Sequence, residues 1–136
     1  MGVAMDRIQR IFYLKNIPAF DSLRDHEIDV IAEVLSERAY DENSIVVNAG
    51  AALSSMLITV SGGLVTRGGQ ALPIVVGAPS LLFGWELGSD IYSAAGEKTV
   101  CLTLRKGLFF TLVYECPAFL FAMLGKTEGK DLYFSH

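Results

Sequence analysis

Positive charge is scarce in this 136-residue chain, and one long stretch has none: between Arg67 and Lys98 there is neither Lys nor Arg. From Asn43 to Trp85, Arg67 is the only charged residue of either sign. Charged residues total 19%, against about 25% in average soluble domains. The formal net charge of -4 comes with no basic stripe, which excludes nonspecific nucleic-acid binding through paired phosphates. Cysteine and histidine are nearly absent. Cys101 and Cys116 make no CxxC pair, and with His26 and His136 they cannot assemble a zinc, iron–sulfur or His-rich centre. Both cysteines are expected to act as small buried hydrophobes, and His26 as a solvated helix residue. No uninterrupted apolar run exists either. Gly50, Gly62, Gly63, Pro73, Gly77 and Pro79 break the Asn43–Trp85 tract before it reaches the ~20 residues a bilayer span needs. Arg7 and Arg10 precede no signal-like apolar core, and Asp6 stands where a myristoylation signal requires Ser or Thr, so the expected location is the cytoplasm. No nucleophile–base pair or paired carboxylates stand at reactive spacing. Neither an enzyme, nor a cofactor, nor a metal is expected.

What the chain does contain is apolar residues, 51% of the total, enough for one domain spanning residues 1–136 with a substantial core. Ser44–Ala49 and Leu57–Ser61 are β-branched runs of strand length bounded by Asn43, Gly50, Gly62 and Gly63. Asn43 tolerates a left-handed backbone, and Gly50 and Gly62 provide positive φ where the chain reverses. A helix is expected from near Asp25, with Ile28, Ile31, Val34 and Leu35 inward and Asp25, Glu27, Asp29 and Glu33 mostly in solvent. Thr99–Leu104 reads as a last strand, Arg105–Leu112 as the helix after it, and Pro117 as the start of a further apolar segment, Ala118 to Leu124.

The spacing of Tyr40, Asn43, Ile45, Gly50, Leu57, Ile58 and Gly62 resembles the first half of the β-roll in cyclic nucleotide-binding domains of the catabolite-activator type. The segment Leu14–Leu23 is similar to the family's opening segment, and the resemblance covers about residues 14–124, leaving 125–136 as a tail. It implies a mainly β fold with flanking α: an antiparallel β-roll or jelly roll of about eight short strands, with helices gathered at the two ends.

The same resemblance places the family's phosphate-binding cassette, a short helical turn between strands, at Phe83–Ala95. In that design, helix N–H groups meet a cyclic phosphate, an arginine neutralises it, and a carboxylate accepts from the ribose hydroxyl. Gly84 matches the family's glycine, and Glu86, one position late, its carboxylate. The arginine has no counterpart. Tyr92 or Ser93 falls at its place before Ala94 and Ala95. An earlier alignment on Gly77–Leu82 loses the carboxylate too. The candidate ligand-binding residues are therefore Phe83, Gly84, Trp85, Glu86, Leu87, Tyr92, Ser93 and Ala94, with Ile91, Ser89 and Asp90 beside them. A hydrogen bond to a charged group contributes about 1.5–3 kcal/mol, and about 1.4 kcal/mol is tenfold in affinity, so cyclic nucleotide binding should fall by one to several powers of ten. The aromatics Phe83, Trp85 and Tyr92 can either fill the cavity themselves or line a pocket for a neutral metabolite.

The tract from Leu108 to Leu124 carries more apolar side chains than one helix face can bury, and in the family the helix after the roll commonly forms a dimer interface. A homodimer through the C-terminal apolar helix and closure of the roll by those side chains are both open. The expected function is a regulatory, signal-transduction module with weak or absent cAMP or cGMP binding. Its alternatives are a sensor for a neutral small ligand and a structural homodimerisation domain. With no recognition helix or basic surface after Gly125, operator binding by this chain is not expected.

Overall fold

A computed structural model describes residues 5–124 and 132–133. Two helices open the chain. In α1 (Arg7–Lys15), Asp6 and Gln9 close a capping box: Gln9 N–H donates to Asp6 Oδ1 at 2.8 Å, and Asp6 N–H to Gln9 Oε1 at 2.9 Å. A single 3-10 turn, Pro18–Phe20, leads to α2 (Asp25–Val34). The helix starts at the expected Asp25 and buries Ile28 and Ile31. Arg7 reaches across in a forked pair with Asp29, at 2.9 and 2.7 Å. Arg10 donates to the Leu35 carbonyl at 2.7 Å, satisfying an acceptor left over at the end of α2.

The strands follow: β1 (Ser36–Tyr40), β2 (Ile45–Val47), β3 (Ser55–Ser61), β4 (Leu64–Thr66) and β5 (Val75–Val76). A short helix, α3 (Ala78–Phe83), then precedes β6 (Ile91–Ser93) and β7 (Thr99–Arg105), and the chain continues into α4 (Lys106–Glu115) and α5 (Pro117–Leu124). All pairings are antiparallel, in a four-stranded sheet ordered β1-β7-β3-β5 and a three-stranded sheet ordered β2-β6-β4. Seven strands are thus described where about eight were expected; α1, α2, α4 and α5 flank them at the two ends, and the short α3 stands between β5 and β6 as the helical turn inserted between strands.

The turns have the anticipated chemistry. Asn43 is the only non-glycine described residue with positive φ, at 55°, and Gly50 and Gly62 stand at 91° and 74°. Strand alternation then divides the core in two. Met56 and Ile58 of β3 and Leu102 and Leu104 of β7 face the helices, meeting Phe20, Ile31, Phe109 and Phe119. Leu57 and Cys101, one residue out of step, face the other sheet and pack with Leu64, Val76, Leu87 and Ile91. Phe109, Leu112 and Phe119 of the C-terminal tract therefore close the roll, whereas Phe110, Tyr114, Phe121 and Leu124 stay exposed. Cys101 is fully buried as expected. Cys116 is only half-buried, because its thiol donates to Glu27 Oε2 at 3.1 Å rather than entering the core.

Among the described residues no helix is long and apolar enough to cross a membrane; α4 and α5 pass by composition together but are bent by 113°.

Candidate functional site

The site is built around α3. Gly77, at φ 119°, turns the chain into it, and a Cβ there would lie 3.1 Å from the Ser55 carbonyl oxygen. Pro79 suits the first turn of a helix, since its missing N–H has no intrahelical partner to lose. Gly84, at φ 70°, ends the helix and donates its N–H to the Ser80 carbonyl at 2.9 Å. The helical turn expected within Phe83–Ala95 thus lies earlier, over the residues of the alternative alignment. Gly84 is its stop, where the resemblance had matched it to the cassette's glycine.

After Gly84 the chain is pinned along a loop of the other sheet. Glu86 bridges to Ala52, Leu87 N–H donates to the Ala51 carbonyl at 3.0 Å, and the Leu87 carbonyl accepts from Gly50 at 2.8 Å. Leu87 is buried, but the Glu86 side chain is exposed and accepts no hydrogen bond from any described residue. Trp85 is half-buried between two other rings, with Phe83 at 5.4 Å and Tyr133 at 5.7 Å between centroids. Ser80 donates to the Trp85 carbonyl at 2.6 Å and fixes the strand of chain beneath it.

Tyr133 was not anticipated. It is buried together with Leu132, whose carbonyl accepts from Gly88 N–H at 2.8 Å, so this part of the C-terminal region lies on the site. The rest of the expected tail, 125–131 and 134–136, is outside the described residues. The sequence did carry a signal, Leu132-Tyr133-Phe134 after a polar run, but no periodicity tied it to the roll.

The β6 residues separate by face. Ser93 points inward, accepting from Ser44 N–H at 2.8 Å and donating to the Asp41 carbonyl, and it is fully buried. Tyr92 points outward, where its hydroxyl lies 3.4 Å from Asp90 Oδ2. Asp90 Oδ1 in turn accepts from Ala49 N–H at 2.6 Å, so a carboxylate anchors this strand. Ala94 donates its N–H to the Gly63 carbonyl at 2.9 Å.

Two grooves flank these elements. One, of about 410 Å³, is lined by Thr66, Gln70, Ala71, Leu72, Pro73, Ser89 and Leu132, all neutral. The other, of about 440 Å³, lies against Tyr92, Ser93 and Ala94 and has Arg67 and Asn43 on its rim. The eight sequence-derived residues therefore do not share one pocket. Phe83, Trp85 and Leu87 lie with Tyr133 or in the inter-sheet core, while Tyr92, Ser93 and Ala94 border the second groove. Arg67 stands in the tight turn that follows β4, closed by Gly69 N–H donating to the Thr66 carbonyl at 2.9 Å, and is exposed to solvent with its backbone N–H 3.4 Å from Ser89 Oγ. Among the described residues, His, Cys, Asp and Glu side chains form no group of three that could hold a metal.

This arrangement of a β-roll, an inserted short helix and flanking helices is the fold of cyclic nucleotide-binding domains. The regulatory subunit of a cAMP-independent protein kinase A from Trypanosoma brucei shares it at a TM-score of 0.70 and 19% identity, over 88% of this chain and 46% of that one. A triply substituted form of that subunit, one change replacing a threonine by arginine, is bound to cAMP in its A site. The corresponding subunit from Trypanosoma cruzi, bound to guanosine, matches at 0.66 and 16% identity, over 83% of this chain and 42% of that one. Thermus thermophilus catabolite activator protein matches at 0.66 and 21% identity, over 79% and 55%. The chain spans about half the length of each. No protein-family model and no curated protein matches it.

Proposed function

We propose that this chain is a non-enzymatic regulatory module that has kept the cyclic nucleotide-binding scaffold but not its affinity for a cyclic phosphate. The observation that carries this reading is the charge of the site. From α3 through β6 there is no Lys or Arg, and the segment's own charges are Glu86 and Asp90, both acidic. Arg67, the basic residue on the neighbouring groove, is exposed, and a solvent-exposed pair contributes about 0–1 kcal/mol. That is too little to replace a buried guanidinium–phosphate bond.

The neutral groove between the end of β4 and Leu132 favours an uncharged ligand instead. Its lining offers Gln70, Thr66 and Ser89 as hydrogen-bonding groups and Leu72, Pro73 and Leu132 as apolar contacts, a combination suited to an uncharged planar molecule. Purine nucleosides are the chemical class to test first, since the Trypanosoma cruzi neighbour is bound to guanosine. Calorimetric titration of the chain with guanosine and adenosine should show saturable binding tighter than that of cAMP or cGMP. Cyclic nucleotides binding more tightly than both nucleosides would refute the reading. If Arg67 does hold a phosphate, Arg67→Gln will abolish that binding.

A second reading concerns assembly. Phe110, Tyr114, Phe121 and Leu124 of α4 and α5 are exposed by 40, 89, 70 and 48%, an apolar load that homodimerisation through this face would cover.

A further inference from the structure

The positive charge missing from the α3–β6 segment is gathered elsewhere. A groove of about 900 Å³ lies where β1, β3 and β7 meet the start of α4, lined by Arg38, Arg105 and Lys106 together with Ser36, Ser54 and Ser55. No acidic residue lines it. The ion pairs among the described residues involve Arg7 and Lys15, so none of these three cations is neutralised by a carboxylate. Arg38 is instead held by an aromatic face, its guanidinium carbon 5.9 Å from the centre of the Tyr40 ring.

Strand register explains the convergence. Arg38 stands opposite Cys101 on β7, and Arg105 lies four residues further along that strand on the same face, roughly 13 Å away at the usual rise per residue. Lys106 N–H is occupied by the Ser54 carbonyl at 2.9 Å, but α4 has no side-chain cap. Gly107 and Leu108, the next two residues of the first turn of α4, also line the groove. Cations and hydroxyls both donate hydrogen bonds. Such a lining suits a ligand rich in acceptors and carrying more than one negative charge.

We propose that this groove is a second ligand site, for a small molecule bearing a diphosphate or two separate phosphate groups. It shares no lining residue with the α3–β6 site and does not depend on what that site binds. Two arginines separated by the length of four strand residues reach two anionic centres better than one, and the net charge of -4 disfavours a long polyanion such as RNA.

The test is calorimetric titration of the full chain with inorganic pyrophosphate and, separately, inorganic phosphate at low and physiological salt. Pyrophosphate should saturate at one per chain and bind more tightly than phosphate. Arg105→Gln and Arg38→Gln, both at exposed side chains, should each weaken it about tenfold or more. Lys98→Gln, which removes an exposed charge outside the groove, should change it by no more than about twofold. Guanosine at saturation should leave the pyrophosphate isotherm unchanged. The proposal is overturned by an absence of saturable binding, by a Lys98→Gln loss equal to those of the arginine variants, or by competition between guanosine and pyrophosphate.

Discussion

Gly62 is the position where the backbone leaves least choice. Its φ is 74°, and a Cβ added there would come within 2.5 Å of the Lys98 carbonyl oxygen and of Thr99 Oγ1. Gly62→Ala should therefore cost about 2 kcal/mol or more, combining left-handed strain with a backbone clash, and this is readable as a lowered urea midpoint. Glu27 is the residue through which pH should act. Its carboxylate accepts from Arg24 N–H at 2.8 Å and from the Cys116 thiol, and these bonds hold its pKa below the ordinary carboxylate value. A group depressed in the folded state stabilises folding above its unfolded pKa and loses that contribution as pH falls through the folded value. Glu27→Gln should thus be less stable than the parent chain at neutral pH, with the gap closing below about pH 4 in thermal melts. A gap that stays constant down to pH 3 would show that the charge is not what matters. The Cys116 thiol is pushed up, first by burial and then by the same carboxylate.

Much of the architecture could be read from local chemistry. Asn43, Gly50 and Gly62 marked reversals because only a few residue types accept positive φ, and the start of α2 was visible in its early acids and its Ile28/Ile31 spacing. The short helix was harder. Ala78–Phe83 has one turn and a half, too few residues for a periodic signal, and Pro79 serves equally in a loop or at a helix start. The division of the C-terminal tract was hidden for another reason: α4 and α5 are apolar on nearly every side, so only packing decides that Phe109 and Phe119 go inward and Phe121 outward. The face of each β6 residue depends on register, which separates Ser93 from its neighbour Tyr92. Leu132 and Tyr133 could not be placed at all, because their contacts with Trp85 and Gly88 join segments more than forty residues apart.

Two core layers share the four-stranded sheet, and each answers to a different partner. The layer between the sheets reaches the neutral groove through Leu72 and Leu132, whereas the layer under the helices ends at the exposed rings of α4 and α5. If these rings form a homodimer interface, Phe121→Glu should convert a dimer to a monomer in light scattering without lowering the melting temperature of the monomeric domain, since Phe121 is 70% exposed. Phe119 cannot be used for this test, because it is fully buried and a charge there would unfold the core. A monomer at all concentrations for the parent chain would remove the dimer reading and leave the ligand reading untouched.

Calorimetric titration of the chain with cAMP reads out whether the scaffold persists without its cation. No saturation below the high-micromolar range is predicted. Stoichiometric binding at nanomolar strength would show that the site still neutralises a cyclic phosphate.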